Sequence, residues 1–344
     1  MSTTGFGMPE VVANRGEAMA LTDMPLDELR EFRPEVGEPA DFDDFWSRTL
    51  EQARHATGGV RLQPVPGPIT AVVVEDLTFP GFGGEPIRGW VVRPRDPGPH
   101  PAVIEFIGYN GGRGLPAERL HWAASGYVHV VMDTRGQGSG WGNGGDTPDP
   151  HGSGPAATGF MTRGIDDPES FYYRRVFTDA VRLVDAVQEM PFVDPERIAV
   201  TGASQGGGIA LAAAALSGGR VRAVLPDVPF LCHFERSVQR TPDQPFTEIV
   251  RYLAVHRGSE ERVFRTLSYF DGVNFARRVL APALFSVALM DDIVLPSSVF
   301  AAFNHCASAE REIAVYTFNG HEGGQLHHWQ RQADWLGGRF RPSA

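Results

Sequence analysis

From Pro101 onward the chain alternates short apolar, β-branched runs with stretches of helical length, and this alternation restricts the fold more than any other feature. PAVIEFIG, YVHVVMDTRG, RIAVTG, RVRAVLPDVP, APALFSVALMD and REIAVYTFNG read as six buried strands. Between them lie GLPAERLHWAASG, read as a helix ending in Gly126, and the long amphipathic SFYYRRVFTDAVRLVDAVQEM. The small-residue helix GGGIALAAAAL and the helix PSSVFAAFNHC follow, and QLHHWQRQADWL closes the series. Nearly continuous apolar strands parted by helices call for a mostly parallel sheet covered on both faces, because parallel neighbours need long crossover connections. One segment breaks the rhythm. Phe230 to Val279 is mostly helical and falls between the fourth and fifth strands, where it reads as a lid or cap insertion. Upstream, AVVVEDLTF and IRGWVVRP flank the turn GFGGE and read as an antiparallel hairpin. Asp41–His55 is a helix with Phe45, Leu50 and Ala53 near helical spacing, and Pro25–Phe32 is a helical turn. Met1–Met24 shows no clear period and is expected to trail over the surface or dock on a neighbour. The organisation expected is one domain over residues 1–344, with an N-terminal extension of about 1–40 and an insertion of about 230–279.

Composition narrows the function. Apolar residues make up 42% and charged residues 21% of 344 residues, an ordinary globular usage. The formal net charge is −11 with no basic tract, which argues against nucleic acid and anionic membranes as partners and slightly against highly anionic substrates. Cys232 and Cys306 are the only cysteines, so a disulfide scaffold is excluded and a cysteine zinc site disfavoured. Met1–Ala20 lacks the basic start and apolar run of a secretory signal, and the longest apolar stretch, Ile209–Leu216, is too short to cross a bilayer. A soluble, cytoplasmic protein is the expectation.

The third strand runs into Gly202-Ala203-Ser204-Gln205-Gly206, a G-x-S-x-G that opens a helix. That setting is what a nucleophile elbow requires. The glycines leave room for a tight strand-to-helix turn, and the helix N-terminus offers free N–H groups to a developing negative charge. The plainer alternative is a glycine-rich helix entry capped by Ser204. A nucleophilic serine needs a base and an orienting carboxylate, and in the α/β-hydrolase arrangement these follow as serine, acid, histidine at the ends of later strands. Asp291 and Asp292 lie just beyond the fifth strand, and spacing alone does not separate them. His321 lies just beyond the sixth. Of the other histidines, His129 reads as a packed or hydrogen-bonded core residue, His305 suits a helix C-terminus, and at most one of His327 and His328 faces inward. H-E-x-x-H fails because position 325 is Gln, so metal catalysis is disfavoured and no cofactor is expected. The oxyanion hole takes one N–H from Gln205 and a second from the loop GYNGGRG, where Tyr109 is the candidate; otherwise that loop is merely a flexible connection.

Three motifs, Arg135-Gly136-Gln137, Gly202-Ala203-Ser204-Gln205-Gly206 and His321-Glu322, make the chain resemble carbohydrate esterase family seven, the acetyl xylan esterases and cephalosporin C deacetylases. The surrounding GYNGGRG, MDTRGQGSGW, TGASQGGG and PSSVFAAFN are in the same style, and the likeness runs from about Pro25 to the last helix. The resemblance implies a triad of Ser204, Asp291 and His321, with the Tyr109 and Gln205 N–H groups as the oxyanion hole. Arg135, Gln137 and Glu322 are supporting residues on this reading, Arg135 tying loops beneath the elbow and Gln137 bonding nearby backbone. It also implies disc-like homohexamers whose active sites face an interior cavity. Two departures stand out: Ile107 where the family commonly has His, and Leu295-Pro296-Ser297-Ser298 where it has Pro-Pro-Ser-Thr. The first bears on substrate preference.

The expectation is therefore an α/β-hydrolase fold with a helical insertion before the acid-bearing strand, acting as a serine esterase. It removes acetyl groups from small esters, such as acetylated xylo-oligosaccharides or cephalosporin-type compounds, through an acetyl-serine intermediate. A peptidase, thioesterase or acyl transferase would use the same triad, and a non-catalytic scaffold would need it broken.

Overall fold

A computed structural model describes residues 22–340. The expectation for Met1–Met24, that it trails over the surface or docks on a neighbour, falls almost wholly outside them. In chain order the elements are α1 (Leu26–Glu31), α2 (Phe42–His55), β1 (Arg61–Pro64), β2 (Val73–Pro80), β3 (Pro86–Arg93), β4 (His100–Phe106), α3 (His121–Ala124), β5 (Val128–Met132), α4 (Tyr172–Gln188) and β6 (Val193–Ala203). There follow α5 (Gln205–Leu216), β7 (Ala223–Asp227), α6 (Phe234–Arg240), α7 (Phe246–Val255), α8 (Glu260–Ser268), α9 (Gly272–Ala276), β8 (Ala283–Ala288), α10 (Pro296–His305), β9 (Arg311–Tyr316) and α11 (Gln325–Phe340).

The strands form one sheet of nine in the order β1-β2-β3-β5-β4-β6-β7-β8-β9. The first three run antiparallel to their neighbours, and β4 to β9 run parallel. This is the α/β-hydrolase arrangement. The predicted hairpin is β2–β3, in register from Val73 opposite Arg93 to Pro80 opposite Pro86. The edge strand β1 escapes a reading by apolar pattern because its side chains are largely exposed and only its backbone is used, pairing with β2.

The alternating side chains of the parallel strands divide between two apolar layers. Ala102, Ile104, Val200 and Val224 face α4, α5, α9 and α10, whereas Val103, Ala199, Leu225 and Leu284 face Trp122 of α3 and Leu336 and Phe340 of α11. Helix α4 is buried on almost every side because α2 lies over it, with Trp46 of α2 against Phe177 of α4 and edge-on to Phe270 and Phe275. Burying each such aromatic side chain contributes about 1.5–3 kcal/mol.

The helix expected from Gly114 to Gly126 is much shorter. A 3₁₀ turn at Pro116–Glu118 is separated from α3 by Arg119 at φ −123°, ψ 39°. The Arg119 carbonyl lies 3.0 Å from His129 Nδ1 instead of closing a helical bond, and its guanidinium pairs with Glu105 at 2.7 Å. Those two anchors on β4 and β5 outweigh the local helical pattern. The segment from Phe230 to Val279 is mostly helical as read, carrying α6 to α9.

Candidate active site

The sharpest local feature is at the end of β6. Ser204 adopts φ 56°, ψ −120°, a conformation that costs about 1–3 kcal/mol in a non-glycine residue. The surroundings enforce it. The Ser204 N–H donates to the Asp227 carbonyl at 2.9 Å, and the Ser204 carbonyl accepts from Phe230 and Gly207, each at 2.9 Å. Closing the turn also brings α5 against β4. A Cβ on Gly206 would lie 2.1 Å from the Phe106 carbonyl oxygen, and one on Gly202 would lie 2.5 Å from the Gly206 carbonyl carbon. Both clashes are with backbone, so both positions require glycine.

His321, in the turn between β9 and α11, reaches this serine. Its Nδ1 is 2.8 Å from Asp291 Oδ2 and its Nε2 is 3.0 Å from Ser204 Oγ. A carboxylate only accepts, so the Nδ1 side carries the proton and Nε2 is free to accept from the hydroxyl. Asp291 is 1% exposed, and its other oxygen accepts from the Ile293 and Val294 N–H groups at 3.0 and 2.8 Å. Asp292 is exposed instead. Burial and direction thus separate two aspartates that spacing left equivalent.

Ser204 and His321 open into a cavity of about 670 Å³ whose wall includes Ile107, Tyr109, Trp141, Pro245 and Ile293. Gln205 is wholly buried. Its side-chain amide pairs reciprocally with that of Gln137, at 2.8 and 3.1 Å, donates to the Ile107 carbonyl at 3.1 Å, and accepts from Tyr173 Oη at 2.8 Å. Gln137 Oε1 in turn accepts from the Asn110 N–H at 2.7 Å. Two glutamines therefore tie the start of α5 to both sides of Tyr109. The glycine-rich loop around Tyr109 is held firmly. Trp141 Nε1 donates to the Tyr109 carbonyl at 2.8 Å, and the buried carboxylate of Asp133 accepts from the Arg113, Asp146 and Thr147 N–H groups. A loop cross-bonded in this way is not a flexible connection.

Arg135 bonds to neighbouring carboxylates rather than to the elbow itself. Its wholly buried guanidinium forms a fork with Asp179 of α4 at 2.6 and 2.8 Å and reaches Glu85 and Asp149; none of its hydrogen bonds among the described residues goes to the elbow. Burial works against its charge, but the carboxylates of Asp179 and Glu85 hold its pKa above the ordinary value. Glu322 is exposed, accepts from the Asn319 amide at 3.0 Å and makes no hydrogen bond to His321.

Two further histidines are packed into the interior. His129 is wholly buried between Glu105 and the Arg119 carbonyl, and His328 is the inward member of its pair, 2.7 Å from Asp227. No group of three or more His, Cys, Asp or Glu side chains able to hold a metal occurs among the described residues, and no described helix is long and apolar enough to cross a membrane.

Sequence reasoning missed Glu248 and Trp141. Trp141 is about half exposed at the cavity wall, and Glu248 is buried with its carboxylate on the Tyr109 hydroxyl. A signal for Glu248 was present: it shares the apolar stripe of α7 with Ile249 and Tyr252, where a charge is out of place.

Comparison with known proteins shows the family. The acetyl esterase Axe7A of Xylanibacter ruminicola is 26% identical over 311 residues, covering 84% of this chain; the chain spans 65% of that relative's length. Two solved structures are more similar. An acetyl xylan esterase from Paenibacillus sp. R4 has 40% identity and a TM-score of 0.86, covering 92% of this chain and 99% of its own. Acetyl xylan esterase 1 from Thermoanaerobacterium sp. JW/SL YS485 has 35% identity and a TM-score of 0.85, covering 93% and 100%. A family model described as acetyl xylan esterase (AXE1) matches residues 19–339, and on that match the chain belongs to the acetyl xylan esterase family.

Proposed function

We propose that the protein is a serine carboxylic-ester hydrolase that removes acetyl groups from small hydroxylated alcohols, acetylated xylo-oligosaccharides among them. The observation that carries this reading is the hydrogen-bonded run Ser204–His321–Asp291, at 3.0 and 2.8 Å, opening into a partly apolar cavity. Ser204 Oγ attacks the ester carbonyl while His321 Nε2 takes its proton. Asp291 holds the imidazole in the tautomer needed and stabilises the imidazolium. The Tyr109 and Gln205 N–H groups receive the oxyanion. Collapse breaks the bond to the alkoxy group, which leaves as the alcohol with the His321 proton. Water, deprotonated by His321, then cleaves the acetyl-Ser204 ester and releases acetate.

The family resemblance supports a homohexamer and extends the substrates to cephalosporin-type acetates. Light scattering at six times the 37.5 kDa chain mass is the expected result for the assembly, and a monomer refutes it. For the chemistry, p-nitrophenyl acetate, butyrate and octanoate are compared in wild type and Ser204→Ala. Turnover should fall from acetyl to octanoyl and drop by about 10⁶-fold in the variant. Rates that rise with chain length refute the acetyl preference, and turnover indifferent to Ser204 refutes the mechanism.

A further inference from the structure

The Tyr109 peptide belongs to the proposed oxyanion hole, but the Tyr109 side chain is committed elsewhere. Its hydroxyl donates to Glu248 Oε1 at 2.7 Å and accepts from the Phe160 N–H at 2.7 Å. Glu248 Oε2 accepts from the Met161 N–H at 3.0 Å. Glu248 lies on α7, within the helices between β7 and β8, and is 1% exposed. A carboxylate taken this far from water is retained only where its oxygens are satisfied, and here a phenol and a peptide N–H satisfy them. The chain is shaped around it: a Cβ on Gly159, at φ +121°, would lie 2.2 Å from Glu248 Cδ. Burial, foremost, pushes the Glu248 carboxyl above its ordinary pKa and, with the neighbouring carboxylate, raises that of the Tyr109 phenol.

We infer that Glu248 is a positioning residue of the ester hydrolysis. By holding the Tyr109 hydroxyl it fixes the ring, and through the ring the direction of the Tyr109 peptide N–H, so the helices between β7 and β8 set the geometry of the oxyanion hole. This rests on the esterase reading above. The reason the effect reaches the chemistry is angular. Hydrogen bonds weaken steeply as they bend, and an oxyanion exists only in the transition state and tetrahedral intermediate, so a tilted donor lowers kcat and leaves KM nearly alone. Deleting an oxyanion donor costs about 10²–10³-fold in kcat, and misaimed rather than deleted it should cost about 10–100-fold.

The test compares wild type, Glu248→Gln, Tyr109→Phe, the double variant and Tyr252→Phe on p-nitrophenyl acetate, with methylboronic acid as a tetrahedral mimic. Glu248→Gln keeps the shape but puts an NH2 where one carboxylate oxygen was, so either the Met161 N–H meets a donor or the Tyr109 hydroxyl, which already accepts from the Phe160 N–H, loses the acceptor for its proton. Tyr252→Phe removes a comparable bond from the same helix, to Asp166 at 2.8 Å, without touching Tyr109. The inference predicts that Glu248→Gln and Tyr109→Phe each lose about 10–100-fold in kcat, with KM within about twofold and boronate affinity falling in step. It further predicts that the double variant is no worse than the poorer single and that Tyr252→Phe keeps wild-type kcat. Unchanged kcat in Glu248→Gln, a loss confined to KM, additive losses, or an equal loss in Tyr252→Phe each overturn it. If Glu248→Gln does not fold, Tyr109→Phe against Tyr252→Phe decides, since it breaks the same bond from the other end. A wild type that neither turns over the ester nor binds the boronate overturns the esterase reading instead.

Discussion

Replacing Arg135 with Met should expose how the RGQ segment supports the fold. Arg135 is wholly buried, and so, to within 1%, is the Asp179 carboxylate it grips with two hydrogen bonds. Removing the guanidinium leaves Asp149 still paired with Arg175 at 2.8 Å, and Glu85 is a quarter exposed, so the loss concentrates on Asp179. That carboxylate keeps one partner, the Phe82 N–H at 2.8 Å. Breaking a buried pair from one side costs about 3–5 kcal/mol. At about 2 °C per kcal/mol for a chain of this size, Tm should fall by about 6–10 °C. The pH dependence has a definite sign. Burial already raises the Asp179 pKa against the pull of Arg135, and without Arg135 it rises further. A carboxyl whose folded pKa exceeds its unfolded one favours folding below the unfolded value and loses that advantage as pH rises through the folded value. The deficit of Arg135→Met relative to wild type should therefore be larger at pH 8 than at pH 5. Urea unfolding followed by tryptophan fluorescence at the two pH values measures it, and Arg135→Met with Asp179→Leu should recover most of the loss. A deficit below about 1 kcal/mol that ignores pH, or a double variant no more stable than the single, refutes the reasoning.

Gly206→Ala should abolish both folding of the elbow and hydrolysis, because its Cβ would stand 2.1 Å from the Phe106 carbonyl oxygen and neither backbone can retreat; soluble, active protein from this variant contradicts the elbow packing. Glu105 supplies an acid-side test. Burial works to raise its pKa, but Arg119 and the His129 ring overcome it and hold it at about 2, below the ordinary 4.5. A carboxylate depressed in the folded state stabilises above its unfolded pKa and loses that contribution as pH falls through the folded one. The stability gap between wild type and Glu105→Gln, read by urea unfolding, should thus close between about pH 4.5 and pH 2. A gap that is constant over that window refutes the ion-pair account.

The parts of this protein legible in its sequence are those written by periodicity or by short-range sterics. Strand and helix alternation reports which faces are buried, and this predicted the parallel sheet and the helices α4, α5, α10 and α11. The elbow was legible because a tight strand-to-helix turn needs glycine two residues either side of Ser204, a demand confined to five positions. Serine, acid and histidine could be placed because each follows a recognisable strand end. Contacts between distant residues were not legible in this way. His321 meets Ser204 across 117 positions and Asp291 across 30, and the choice of Asp291 over Asp292 follows from which carboxylate the turn buries. Arg135 finds Asp179 across 44 positions, a partner the RGQ motif does not name. Arg119 breaks a promising helix because Glu105 and His129 lie on strands the local pattern does not contain. Glu248 and Tyr109 meet across 139 positions. Burial, pairing and hydrogen-bond direction belong to surfaces assembled from several segments, so they are set when the sheet closes and its helices pack, and no window along the chain carries them.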